Sequence, residues 1–233
     1  MEAQHIVSTL QLVDTPDEQH LLEELLEETK PSVPAECIGL HYLYMTPFRY
    51  GAYPNGSRFR KAGPTPGVCY VSEEPSTGII ETAFHLLLFY VDSPGTPFPS
   101  QPSEHTVFDV PVKTSRAIDL TAKPFSDASD LWINPTNYGP CQILEEIART
   151  EGIQIILYNS VRTPEQKTNA AILNCVAFAE SSPKSFQTWR LLFNRTGVYA
   201  ICGFQDEEVH ISPEIWQTDP RLENFDWERS HWA

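Results

Sequence analysis

Residues 67–91, GVCYVSEEPSTGIIETAFHLLLFYV, decide the fold class because they join a strand pattern to a helix pattern. The first six residues, GVCYVS, are rich in β-forming side chains, which predicts a short buried strand. The following STGIIETAFHLLLFYV predicts a long and mostly apolar helix, capped near Ser76 or Thr77. The chain therefore contains both kinds of element, and the order of the remaining ones decides how they combine.

Strand patterns outnumber helix patterns in the rest of the chain. Helices are predicted at DTPDEQHLLEELLEETKP and GPCQILEEIARTEG, while the aromatic run GLHYLYMTPFRY at 39–50 is interpreted as strand-like. Further strands are predicted at HTVFDVPV, RAIDLT, IQIILYNS, AAILNCVAF, FQTWRLLF and GVYAICGF, the last two joined by an NRTG hairpin. Because the strands occur in antiparallel-looking pairs with helices inserted, the pattern predicts an α+β fold with a small mixed or antiparallel sheet and flanking helices.

The composition predicts one globular domain over residues 1–233. The chain is 41% hydrophobic, which supplies enough apolar material for a core. Residues 1–35 are predicted to form an N-terminal helical extension, in which Thr15 and Glu18 make a capping box. Residues 212–233 are predicted to be an irregular C-terminal tail. The acidic face of the first helix is interpreted as a solvated surface, with partner binding as the alternative.

The chain shows no pattern of a membrane, secreted or metal-binding protein. Its most apolar run is too short to span a bilayer, and its first residues lack a basic segment, so a cytoplasmic location is predicted. The five cysteines are scattered without a CxxC pair, which is typical of buried thiols in a reducing compartment. No Cys/His spacing suggests a zinc site, so no metal is predicted.

The charge distribution points to a local site for anions. The net charge is −15, which disfavours direct binding of nucleic acid. Yet no Asp or Glu occurs among the 36 residues from Cys37 to Ser72, where the average density of 31 in 233 would give about five. Four cations lie in this span. Arg49 and Arg58 stand beside aromatic residues and suit bidentate recognition of phosphate, whereas Arg60 and Lys61 are interpreted as surface charge.

Three further residues carry open alternatives. Glu81 lies on an otherwise apolar helix, so it is a structural ion-pair partner of an arginine, an exposed edge residue or a functional carboxylate. Tyr70 is either a core aromatic residue or a site residue. Ser160 ends a strand, where a loop cap and a functional residue are equally ordinary, and Arg162 follows two residues later.

The segments LHYLYMTPFRY, GSRF and PGVCYVSEEPSTGIIETAFH, in this order, resemble RES-domain proteins, a family named for Arg, Glu and Ser motifs. A longer subfamily is the most similar, and later blocks such as NPTNYGPCQILEEIARTEGIQIILYNSVR continue the match. The resemblance implies a fold similar to ADP-ribosyltransferases, with a bent sheet and a cleft for NAD⁺. It also implies that the chain cleaves NAD⁺, by hydrolysis or phosphorolysis, as the toxin of a pair with an Xre-type antitoxin.

The resemblance assigns site residues position by position. Here GSRF stands where the family has GGRW, so the loop after Arg58 differs. The catalytic positions are Arg49, Tyr70, Glu81 and Ser160, and the NAD⁺-binding positions are Arg58, Tyr50 and Arg162. The arginines suit the phosphates, Tyr50 or Tyr70 would stack on nicotinamide or bond to ribose, and Glu81 would stabilise developing positive charge. Ser160 would position nicotinamide or an attacking phosphate.

The ligands and partners implied are few. NAD⁺ is expected as substrate, with inorganic phosphate as a possible co-substrate and no prosthetic group. An antitoxin protein is the expected partner, without direct nucleic-acid or membrane contact, and a homo-oligomer remains open. Two rival functions stay open as well: transfer of ADP-ribose onto a protein by the same fold, and a non-enzymatic partner-binding module with a degenerate pocket.

Overall fold

A computed structural model describes residues 12–203 and 207–228, with the side chain of Ala52 excepted. The described helices are α1 Pro16–Thr29, α2 Tyr42–Arg49, α3 Pro75–Asp92, α4 Ser129–Trp132 and α5 Gly139–Thr150. The described strands are β1 Ala52–Tyr53, β2 Gly63–Pro64, β3 Cys69–Ser72, β4 Ser103–Phe108, β5 Ala117–Asp119, β6 Ile155–Asn159, β7 Thr168–Ile172, β8 Phe186–Asn194, β9 Gly197–Cys202 and β10 Glu207–Ile211. Short 3-10 helices occupy Ala35–Cys37, Phe125–Ala128, Cys175–Ala177 and Pro213–Trp216.

The strands form two four-stranded sheets and one two-stranded sheet, so the predicted α+β class is confirmed. The first sheet has the order β10-β9-β8-β4 and is antiparallel throughout. The second has the order β3-β7-β6-β5 and is mixed, because only β5 and β6 run parallel. The predicted hairpin joins β8 to β9, with Asn194 opposite Gly197. The last residue of the predicted GVYAICGF strand, Phe204, lies outside the described residues.

Three local predictions of secondary structure were wrong. The predicted AAILNCVAF strand ends with β7 at Ile172, and Cys175–Ala177 form a 3-10 helix instead. The aromatic run at 39–50 contains helix α2 and no strand, because the His41 side chain caps the helix at Leu43 and Tyr44 packs its ring 4.6 Å from that of Phe178. Tertiary packing thus overrides the β-propensity of the tyrosines. Helix α3 begins at Pro75, before the predicted cap at Ser76 or Thr77, since proline suits the first helical turn.

The buried residues form three clusters that place the two sheets and α3 together. The largest joins the apolar face of α3 to the first sheet through residues such as Phe84, Leu87 and Trp189. The second packs α5 on one face of the second sheet, and the third covers its other face. In the C-terminal segment, the structure describes residues up to 228, and Trp216 and Leu222 lie within the largest cluster. This segment is therefore part of the core.

The N-terminal helix α1 behaves differently from the core elements. The capping box of Thr15 and Glu18 is present as predicted, and none of the helix residues is buried. Leu21, Leu25 and Leu26, which give the helix its apolar face, are all exposed. Helix α1 therefore contributes no residue to the buried clusters.

The five cysteines agree with the sequence prediction of buried thiols. All five cysteines are free and buried. Within residues 12–203 and 207–228, none of the helices has the length and apolarity needed to cross a bilayer. The division into a domain with an extension and a tail stays a prediction.

Candidate active site

Glu81 meets two hydrogen-bond donors at the second sheet. Its half-buried side chain extends from α3, and its Oε1 accepts from Ser160 Oγ at 2.6 Å and from Asn169 Nδ2 at 3.0 Å. Among the described residues, Glu81 forms no ion pair with an arginine, so that alternative was wrong. Because both donors address one carboxylate oxygen, Oε2 is left free of described donors and available to a ligand.

Ser160 directly follows β6, and its side chain links Glu81 to the backbone of the next turn. The residue is 0% exposed, and its Oγ donates to Glu81 while accepting from the Arg162 backbone amide at 3.2 Å. The structure thus shows the loop cap that the sequence left open, and a functional role for Ser160 stays a prediction. The serine caps the turn after the strand, and it also fixes the carboxylate.

The sequence analysis did not predict Asn169 and Tyr158, which lie in the same cluster as Glu81 and Ser160. The two residues lie opposite each other on β7 and β6, both buried. Burial raises the pKa of the Tyr158 hydroxyl well above its ordinary value, and the negative charge of Glu81 raises it further. A polar residue within the apolar TNAAI strand was the only signal for Asn169 in the sequence.

Tyr70 closes the other side of this cluster through the GSRF loop. Its hydroxyl accepts from the Phe59 backbone amide at 2.9 Å and shares a hydrogen bond of 2.8 Å with Ser57 Oγ. The residue is 40% exposed overall, but the protein surrounding the hydroxyl raises the pKa of Tyr70 to about 12. Tyr70 is thus a neutral donor or acceptor at neutral pH, and its ring is not a core aromatic residue.

Arg58 approaches the cluster from the GSRF loop. Its buried guanidinium donates from Nη1 to the Trp132 carbonyl at 2.6 Å and lies over the Tyr138 ring at 4.9 Å. The charges of Arg58 and Glu81 both act on the Tyr158 hydroxyl, with opposite sign. Arg58, Tyr70 and Glu81 thus lie close enough to influence the pKa of the Tyr158 hydroxyl, and Ser160 joins this group through its bond to Glu81.

The Arg162 side chain is paired with other residues of the protein. The residue is buried, and its Nη1 forms an ion pair of 2.7 Å with Asp219 from the C-terminal segment. Its Nη2 donates to the Pro135 carbonyl at 2.9 Å, and the guanidinium lies 4.0 Å over the Phe84 ring. Desolvation lowers the pKa of Arg162, while the nearby Asp219 charge raises it. Its predicted role in binding NAD⁺ stays a prediction.

Arg49 lies apart from the Glu81 cluster. The residue ends α2, and its buried guanidinium bonds to the Pro31 carbonyl at 2.6 Å and to Glu27 Oε1 of helix α1 at 2.6 Å. No contact between described residues joins it to Glu81 or Ser160. Tyr50, the next residue, is exposed and offers its ring to solvent. The structure therefore places the predicted site residues in two groups.

Arg60 was wrongly predicted as surface charge. It is buried and donates to three backbone carbonyls, those of Tyr50, Gly51 and Thr65, at 2.8–2.9 Å. The arginine folds the glycine- and proline-rich segment onto itself, because loop carbonyls without strand partners need buried donors. Lys61 is the surface cation that the sequence predicted, paired with Glu146 at 2.7 Å.

A cavity of about 220 Å³ opens beside Ser160. Its walls include Pro135, Arg162, Trp216 and Asp219. Sites for drug-sized ligands usually measure about 300–1,000 Å³, so this cavity suits one ring of a dinucleotide and not the whole molecule. Among the described residues, no cluster of three potential metal ligands occurs.

The comparison with known proteins identifies the family. None of the curated proteins matches the chain. The family model for the RES domain matches residues 33–194, which is more than half of the chain. The matched region contains Arg49, Arg58, Tyr70, Glu81 and Ser160, whereas α1 and the C-terminal segment lie outside it. This chain is therefore a member of the RES domain family.

Proposed function

We propose that this protein cleaves the bond between nicotinamide and ribose in NAD⁺. The observation that carries the proposal is the arrangement of Glu81. Ser160 and Asn169 hold one of its oxygens, and the other is available to a sugar. Membership of the RES domain family, which is associated with enzymes that act on NAD⁺, supports the same conclusion.

The chemistry fits a single fixed carboxylate. Heterolysis of the glycosidic bond releases neutral nicotinamide with the bonding electron pair and leaves an oxocarbenium ion on the ribose. No acid needs to protonate this leaving group. The Glu81 carboxylate would accept a hydrogen bond from a ribose hydroxyl and stabilise the positive charge. Addition of water with loss of a proton gives ADP-ribose, and addition of phosphate gives its 1-phosphate.

The diphosphate would meet the arginines. Arg58 lies beside the Glu81 cluster through Tyr158, and guanidinium groups bind phosphate oxygens in pairs. Arg49 would join it only by exchanging the Glu27 carboxylate for a phosphate oxygen, because Glu27 now accepts from Arg49 Nη1. Binding of the diphosphate is thus coupled to the position of helix α1.

The remaining residues suit the nicotinamide half. The cavity beside Ser160 has the size of one ring, and the Trp216 side chain forms part of its wall. The exposed ring of Tyr50 is free to stack on a base. Tyr70, neutral at physiological pH, can donate to or accept from the sugar.

The proposed role as a toxin rests on membership of the RES domain family and not on the geometry of the site. Depletion of NAD⁺ would halt growth, and an Xre-type protein would then act as the antitoxin. Induced expression in a bacterial host should lower cellular NAD⁺ and stop growth, while an inactive variant should do neither. Growth arrest with unchanged NAD⁺ would contradict this role.

Product identity is the decisive test of the activity. Purified protein is incubated with NAD⁺ in phosphate buffer and in phosphate-free buffer, and nicotinamide, ADP-ribose and ADP-ribose 1-phosphate are separated by chromatography. We expect nicotinamide in at least one buffer. No release in either, while a known NAD⁺ glycohydrolase releases it, would refute the proposal. If NAD⁺ labelled in its ADP-ribose part transfers that label to a protein, the activity is protein ADP-ribosylation instead.

A further inference from the structure

Asn169 lies on β7, an inner strand of the second sheet, where a buried polar side chain is unusual. On β7 it lies between Ser72 of β3 and Tyr158 of β6, and it is 3% exposed. The next residues of the strand, Ala170, Ala171 and Ile172, are apolar and buried. Apolar residues would therefore suit this position for packing alone.

The Asn169 side chain forms hydrogen bonds with Tyr158 and Glu81. Its Nδ2 donates to Glu81 Oε1 at 3.0 Å, and this orientation is fixed because an amide oxygen would face the carboxylate oxygen without a hydrogen between them. The opposite atom, Oδ1, is the single buried side-chain acceptor or donor without a partner in the part of the chain that the structure describes.

An unpaired buried acceptor opposes folding, since it has lost water and gained nothing in return. A side chain that served only stability would not carry this cost. Unpaired buried polar groups occur most often at functional sites, where the geometry that the reaction requires takes precedence over stability. The half of the amide that is satisfied touches the one carboxylate that the proposed reaction requires.

We propose that Asn169 is a positioning residue for Glu81, an inference that rests on the proposed function. Ser160, which follows β6, and Asn169, on β7, approach the same oxygen from different positions, so together they fix the rotation of the carboxylate. Oε2 then points to a single place, where it meets the ribose. With Ser160 alone, the carboxylate pivots about one hydrogen bond and its charge is displaced from the oxocarbenium ion.

The first test separates positioning from folding. Asn169→Leu keeps the approximate volume and removes both the donor to Glu81 and the unpaired acceptor. We expect kcat to fall by about 100-fold, the cost of a catalytic group misplaced by about 1 Å, with KM nearly unchanged. The melting temperature should change little, because loss of the unpaired acceptor offsets loss of the hydrogen bonds to Glu81 and Tyr158.

A matched control comes from the same stretch of chain. Asn174→Ala also removes an amide, but its Oδ1 only caps a 3-10 helix by accepting from the Val176 amide. This variant should keep the wild-type kcat. A kcat for Asn169→Leu close to that of wild type, or a loss of kcat that follows a lower melting temperature, would overturn the inference.

Asn169→Asp provides a second readout that packing alone would not change. Two adjacent carboxyl groups share a proton, so the pH dependence of kcat should differ from that of wild type. The other charged or titratable groups that act on Glu81 are His85, Tyr158 and Arg162, and they are the same in both proteins. An unchanged pH profile would overturn the inference.

The two proposals fail in different ways. If wild-type protein releases no nicotinamide and shows no shift of melting temperature with NAD⁺, the proposed function fails and the role of Asn169 falls with it. If wild type cleaves NAD⁺ and Asn169→Leu cleaves it equally well, the proposed function stands and the positioning role alone is refuted.

Discussion

Glu81 and Arg49 differ in how firmly the rest of the protein holds their side chains. Glu81 is held by two buried residues of the second sheet, and all three lie within the region that matches the RES domain. Arg49 is buried too, but its carboxylate partner Glu27 belongs to a helix without a buried residue and outside the matched region. Glu81 is thus fixed by the fold, whereas Arg49, one of the arginines predicted to bind phosphate, is paired with a residue of the exposed helix α1.

The largest effect on this comparison should come from Glu81→Gln. The exchange keeps the shape of the side chain and removes the charge that would stabilise the oxocarbenium ion, so we expect kcat to fall by about 10³-fold. The melting temperature should change little, because Glu81 forms no ion pair among the described residues. Rates of nicotinamide release test this.

A matched exchange on the same segment serves as control. Glu73→Gln removes a carboxylate of equal charge from an exposed position before α3. This variant should retain wild-type kcat and KM. A Glu81→Gln variant as active as the Glu73→Gln variant would show that the fixed carboxylate has no part in the chemistry.

The second effect concerns stability. Asp219 comes from outside the matched region like Glu27, but its ion pair with Arg162 is buried on both sides. Hydrogen bonds from Arg221 and the charge of Arg162 hold the pKa of Asp219 below its ordinary value although burial raises it. Asp219→Ala leaves Arg162 unpaired and should cost about 3–5 kcal/mol of unfolding free energy, measured in urea.

An exposed pair distinguishes burial from charge. Glu228→Ala breaks the ion pair of Glu228 with Arg195, in which both side chains are more than 70% exposed. Its unfolding free energy should stay close to that of wild type. Equal losses for the two variants would mean that the C-terminal segment is not packed as the structure shows.

The third effect is a partial loss of activity. Ser160→Ala removes the shorter of the two hydrogen bonds to Glu81 and leaves that of Asn169. We expect kcat to fall by about 10- to 100-fold, less than for Glu81→Gln, because the charge remains while its orientation relaxes. Ser160→Thr, which keeps the hydroxyl, should recover part of the rate; a Ser160→Ala enzyme with wild-type kcat would exclude this role.

The sequence was most informative where chemistry depends on local pattern. The α+β class followed from strand and helix periods, and the elements β3 and α3 that present Tyr70 and Glu81 were recognised in residues 67–91. Helix α2 was missed because its tyrosines favour strands, whereas the His41 cap and the packing of Tyr44 on Phe178 support a helix.

Contacts between distant residues could not be predicted from the sequence. Asn169 is 88 residues from Glu81, and the pairing of β7 with β6 and β3 brings it to the carboxylate. The charge of Arg60 was visible, but its burial depends on which carbonyls the surrounding loop leaves unpaired. Nothing in the sequence of α1 indicated that Glu27 would face Arg49.

The smallest effect should come from that contact. Glu27→Gln removes the carboxylate that occupies Arg49, so the diphosphate meets the arginine without competition. We expect KM for NAD⁺ to fall by about two- to fivefold with kcat unchanged, since a half-exposed ion pair is weak and easily replaced. Glu28→Gln removes the same charge from the neighbouring position of the helix and should leave KM as it is. If both variants lower KM equally, α1 acts through its general negative field, and if neither does, Arg49 does not receive the phosphates and the site depends on Arg58 alone.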